Sequence, residues 1–160
     1  MLNFDRLTVK ASEAIAAANR DAQRRGNPEI HGVHLLLALL DQEEGIVSPV
    51  LSKLGVQVSL VRQRAVEAID RMAKTEGGSQ PRLSRDLNRA LDVAETESRS
   101  LGDEYVSTEH LLLGLTKEKD DAGKILRELG AQLAPVREAL EAVRGPHQVT
   151  LKEGKDRKTI

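Results

Sequence analysis

Residues 31–40 read HGVHLLLALL and residues 107–116 read STEHLLLGLT, so one His followed by three Leu returns after 76 positions. Extending that offset in both directions aligns residues 7–39 with 83–115 without a gap: Leu7 meets Leu83, Ala14 meets Ala90, Ala18 meets Ala94 and Gly26 meets Gly102. After one deletion the offset becomes 75, and Leu51, Leu54, Gly55 and Val61-Arg62 fall on Leu126, Leu129, Gly130 and Val136-Arg137. Self-similarity at a fixed spacing marks a duplicated unit. Gly77-Gly78-Ser79-Gln80-Pro81 punctuates the copies as a linker, which divides the chain into repeat one at about 5–75, a linker at 76–82 and repeat two at about 83–145.

Within each copy the apolar residues keep a helical spacing. Leu7, Ala11, Ile15, Ala18 and Ala22 predict one first helix, and Leu83, Leu87, Ala90, Leu91 and Ala94 predict the other. Val58, Val61, Ala65, Ile69 and Met72, then Leu133, Val136, Leu140 and Val143, predict fourth helices with a buried stripe. Short second and third helices lie between, and period-two alternation is absent. Thr8, Ser84 and Ser107 stand where a side-chain oxygen caps a helix start, and Gly26, Gly55, Gly102, Gly130 and Gly145 where a left-handed residue ends one. The expected fold is all-α, eight helices in two pseudo-twofold four-helix repeats forming one domain over residues 1–146. Residues 147–160 read as a linker or tail, because the stripe is lost after Gly145-Pro146. Ala14, Ala18, Ala90 and Ala94 permit close approach of neighbouring helices, and the seam between repeats leaves grooves suited to binding.

Composition narrows the functions. Of 160 residues, 39% are apolar and 31% charged, which is a soluble globular composition rather than a disordered or membrane one. Phe4 and Tyr105 are the only aromatics and the formal charge is -1, so neither a base-stacking platform nor a phosphate-binding surface is expected, and nucleic acid is not a predicted partner. The absence of cysteine excludes disulfides and thiolate chemistry and suits a reducing compartment. The longest apolar run, Leu35–Leu40, is far too short to span a bilayer, and MLNFDRLTVK has no signal-peptide pattern. The expectation is a cytoplasmic protein without a membrane partner.

The chemistry on offer is sparse. Gly123-Lys124 lacks the upstream glycine and the hydroxyl residue of a phosphate-binding loop. His31 and His34 share a helix face but no third ligand is near, and His34 and His110, as repeat equivalents, read as making the same structural hydrogen bond twice. Ser107, Glu109 and His110 are too close in sequence to converge as a catalytic triad. On the residues alone, Asp103 reads as a turn residue after Gly102, Glu109 as a first-turn anion and Thr8 as an N-cap. Arg24-Arg25, beside Asp21 and Glu29, reads as a solvated face.

The duplicated unit, with Leu7-Thr8 opening its first helix and His-Leu-Leu-Leu in each second helix, resembles the Clp N-terminal repeat domain over about residues 1–146. Phe4-Asp5-Arg6-Leu7-Thr8, Ser48-Pro49-Val50-Leu51, the Gly-Gly-Ser-Gln-Pro linker and Leu87-Asn88-Arg89-Ala90-Leu91 are most similar to the branch carried by ClpB-type disaggregases. That resemblance implies a non-enzymatic, substrate-recruiting domain on a homohexameric AAA+ parent, and the isolated domain is expected to be a monomer because no apolar heptad stripe remains once the two copies are packed. ATP and Mg would serve the parent's ATPase modules, with no cofactor in this chain. It implies unfolded or aggregated polypeptides as partners, with adaptor proteins possible. Thr8, Asp103 and Glu109 would contact an extended client beside an apolar groove to which Val93 contributes. Glu97 and His110 stand where some members carry apolar residues, which implies a more polar groove. The alternative is the ClpC-type role, docking adaptors or phosphoarginine through a Glu before the His of both second helices; here Glu109 fills one such place and Val33 the other.

Overall fold

Thr8 decides where the chain turns helical. Its hydroxyl accepts from the Ala11 N–H at 3.1 Å, and its own N–H donates to the Val106 carbonyl at 3.0 Å, so α1 (Val9–Arg25) begins just after it. Ser84 repeats the arrangement for α5 (Arg85–Ser100), accepting from the Leu87 N–H at 3.1 Å. The computed structural model describes residues 2–75 and 80–145; the linker reading at 76–82 falls partly, and the tail reading wholly, outside them. Leu7 and Leu83, expected in the first turns, instead precede the helices in extended backbone. Leu83 lies in β2 (Arg82–Leu83), parallel to β1 (Glu29–Ile30), and Leu7 makes a parallel bridge with Val106. The two pairings are copies of each other, since 7 + 76 gives Leu83 and 30 + 76 gives Val106. Strands of two residues are too short to show alternation, which is why the sequence pattern missed them.

Repeat one continues through α2 (Gly32–Asp41), α3 (Val47–Lys53) and α4 (Val58–Asp70), and repeat two through α6 (Thr108–Thr116), α7 (Asp121–Glu128) and α8 (Leu133–Arg144). The described residues therefore hold eight α-helices, four per repeat, with a 3-10 turn at Phe4–Arg6 ahead of α1. One aliphatic cluster unites the repeats: Leu35, Leu36 and Leu37 of α2 and Leu111, Leu112 and Leu113 of α6 are all buried in it, together with Ala14, Ala18, Ala90 and Ala94. Helices α5 and α6 pack so closely that a Cβ on Gly114 would overlap the Ala90 carbonyl oxygen. The corresponding residue in α2 is Ala38, so α1 and α2 have room for the methyl group that α5 and α6 exclude. Val143, expected on the buried stripe of α8, is 40% exposed. Arg144 instead continues the inward line from Val136 and Leu140 at four-residue spacing.

Candidate functional site

Gly102, with φ 74°, turns the chain back after α5, a conformation that costs a glycine little. The Asp103 N–H then closes on the Ser98 carbonyl at 2.9 Å, which carries the Asp103 carboxylate beneath α6. There Oδ2 accepts from His110 Nε2 at 2.6 Å and Arg144 Nη1 at 2.9 Å, and Oδ1 accepts from Arg144 Nη2 at 2.5 Å. His110 Nδ1 accepts from the Ser107 N–H at 2.8 Å, so in a neutral ring the proton sits on Nε2 and points at Asp103. Glu109 accepts from the Ser107 hydroxyl and lies 3.6 Å from Arg144 Nη1. Asp103 and Glu109 are 5% and 4% exposed. The guanidinium thus stands between two buried carboxylates and holds the end of α8 against the start of α6.

The structure brings Asp103 and Glu109 into one network, ties Thr8 to the Val106 backbone beside it, and leaves Val93 apart. Thr8 is fully buried, with its hydroxyl committed to the cap. Val93, half-buried on α5, lines a depression of about 220 Å3 with Ala90, Gly114, Asp86, Arg89 and Lys117. His110 is fully buried, so it adds no polar group to an open groove, and Glu97 is drawn down by a bidentate pair with Arg137 at 2.7 and 2.6 Å.

Repeat one carries an uncharged edition of the network. Asn27, 76 residues before Asp103, accepts from His34 Nε2 at 2.9 Å and donates from Nδ2 to the Ala73 carbonyl at 3.2 Å. His34 Nδ1 accepts from the His31 N–H at 2.9 Å, the hydrogen bond that His110 makes with Ser107. An amide can both accept and donate; a carboxylate only accepts, and Asp103 faces a guanidinium where Asn27 faces a carbonyl. Burial, reinforced by His31, holds His34 down to about 4, so it is neutral at pH 7. Both of its ring nitrogens are engaged, which leaves no lone pair for a metal shared with His31.

Sequence reasoning missed a second, partly apolar opening, whose lining also includes Ser12 and Asn19. Phe4, Leu7, Ile15, Ile30, Pro81 and Leu83 line a groove of about 330 Å3 beside α1. Phe4 is 50% exposed at its rim. The available signal was a phenylalanine placed outside every helical stripe. Arg144 was also missed, because a basic residue at the end of a helix reads as a dipole partner.

A family model of the Clp repeat (R) N-terminal domain matches residues 6–148. Chaperone protein ClpB of Mycobacterium leprae is 42% identical over 144 residues, which are 89% of this chain and 17% of that protein. ClpB of Corynebacterium efficiens is 40% identical over 145 residues, again 89% of this chain and 17% of that protein. The chain therefore spans about a sixth of the length of these curated relatives. Among solved structures, the Hsp104 N-terminal domain from Candida albicans superposes with a TM-score of 0.81 at 17% identity, covering 92% of this chain and 97% of that one. Such an identity shows a shared fold.

Proposed function

Because the chain belongs to the Clp repeat N-terminal domain family, we propose that it recruits unfolded or aggregated polypeptide to an ATP-dependent disaggregase of the ClpB type. The observation that carries this reading is the open, largely apolar groove beside α1, which half-exposed Phe4 lines together with Leu7, Ile15, Ile30 and Leu83. A natively folded protein keeps such apolar side chains inside, whereas an unfolded one offers them in extended chain. At roughly 25 cal/mol per Å2 of apolar surface covered, a groove of this size gives weak, reversible capture. Several copies on one assembly would turn weak capture into avidity while leaving release fast.

In this reading Val93 supplies a second apolar contact, and Thr8, Asp103 and Glu109 act as positioning residues that hold the face in shape. The domain takes residues 1–146, is monomeric when isolated and has no cofactor of its own. ATP, Mg, the hexameric motor and a cytoplasmic setting belong to the parent. The adaptor or phosphoarginine reading has less support, since Glu109 is buried beside Arg144 and Val33 fills the matching place. Two-dimensional NMR titration with a permanently unfolded client and with its native form tests the proposal. The expected result is shifts along Phe4, Ile15, Leu83 and Val93 with the unfolded form alone, weakened several-fold by Phe4→Ala. Equal response to both forms, or none to either, would overturn it.

A further inference from the structure

Glu118 sits in the turn between α6 and α7, and its position is fixed from several sides. Its N–H donates to the Leu115 carbonyl at 3.1 Å, and its own carbonyl accepts from Arg127 Nη1 at 2.8 Å. The side chain crosses the seam to repeat one and lies against the first residue of α2, where a Cβ on Gly32 would overlap the carboxyl oxygens. Glu118 is only 4% exposed, and neither of those oxygens has a hydrogen-bond partner. Carrying the α2–α6 offset forward puts Gln42 opposite it, and that neutral amide donates to the Lys10 carbonyl at 2.9 Å.

An ionised carboxylate buried without partners is one of the costliest arrangements a protein can hold, and it relieves the cost by keeping its proton or by moving. The surroundings favour the proton. Asp120 and Asp121 at the start of α7 and Asp86 on α5 repel a negative charge and outweigh the opposing Arg127 of α7. On the α2 side stands His31, whose Nδ1 is buried without a hydrogen bond, 3.5 Å from Asp120 and with Glu29 beyond. Lys117 and Lys119 flank Glu118 along the rim of the depression that holds Val93.

We propose that Glu118 is a proton-operated latch between the two repeats: protonated, it lies flat against Gly32 of α2, and on ionising it lifts the Lys117–Asp120 turn away and widens the depression beside Val93. Burial first, and the neighbouring aspartates second, push the carboxyl up to about 8, so the latch works near neutrality. The inference does not depend on what the domain binds.

The test uses the 160-residue chain labelled at glutamate Cδ, titrated by 13C NMR, with amide exchange measured at pH 6 and pH 9. The expected result is one glutamate, assigned by its loss in Glu118→Gln, titrating about three units above the others. Protection factors at Leu35 and Glu118 should fall on the order of a hundredfold between pH 6 and pH 9 in the wild type and stay level in the variant. Should the variant fail to fold, assignment through the backbone keeps the wild-type titration decisive. Glu118 titrating in the ordinary carboxylate range, or titrating high with protection unchanged, would overturn the latch.

Discussion

Replacing Arg144 with Met removes a guanidinium from between two buried carboxylates while keeping an apolar side chain of similar length. The Asp103 side chain is 0% exposed and that of Arg144 5%, so the lost pairing cannot be replaced by water without opening the end of α8. Removing one member of a buried ion pair costs about 3 to 5 kcal/mol, a fifth or more of the roughly 5 to 15 kcal/mol that holds a domain together. With a urea dependence of about 1 to 3 kcal/mol per M, the midpoint should fall by about 1 to 5 M. Arg62→Ala is the control, because its partner Asp41 and Arg62 itself are 57% and 47% exposed and such pairs contribute about 1 kcal/mol at most. Adding Asp103→Asn to Arg144→Met should restore part of the loss, since it recreates the neutral chemistry of Asn27. If Arg144→Met and Arg62→Ala shift the midpoint equally, the clamp does not hold the fold, and the positioning role given to Asp103 and Glu109 fails.

Other expectations are independent of that one. Thr8→Ala should cost about 1 kcal/mol through loss of the cap, read by urea unfolding. Gly114→Ala should cost at least about 1 to 3 kcal/mol by overpacking α5 on α6, whereas Ala38→Gly should cost only the helix penalty of about 1 kcal/mol. His34 and Glu118 give stability an unusual pH profile. The folded-state value of His34 is depressed from 6.5 to about 4, so its contribution is present above 6.5 and lost as pH falls toward 4. That of Glu118 is raised from 4.5 to about 8, so stability is lost as pH rises from 4.5 to 8. These two groups cancel between 4.5 and 6.5 and leave a decline above 6.5; Glu118→Gln should remove the decline, a gain on the order of 3 kcal/mol at pH 7 relative to pH 4.

The helices were legible because burial of a continuous stripe imposes a period, and because caps such as Thr8 and Ser84 have a local mechanism. The shared hydrogen bond of His34 and His110 was legible as well, since duplication places both at one position. What lay beyond the sequence was long-range. Nothing local says that Arg144, 41 residues after Asp103, reaches back to it, or that Glu118 ends unpaired against Gly32. Leu7 and Leu83 were misread because their extended backbone answers to strands in the opposite repeat. Thr8, Asp103 and Glu109 carry residue types suited both to contact and to capping, and burial separates those roles only once the fold is known.

The crossed pairing of Leu7 with Val106 and Ile30 with Leu83 gives the domain the topology of a strand-swapped dimer joined end to end. Each half lends its entry segment to the other, so neither completes its own backbone pairing alone. A single half made separately carries one partner of each bridge, an entry residue and a receiving residue, and could pair them with a second copy around a twofold axis, as an isologous homodimer. Melting should for the same reason be one cooperative transition rather than two, and a chain cut between the halves should reassemble from its pieces.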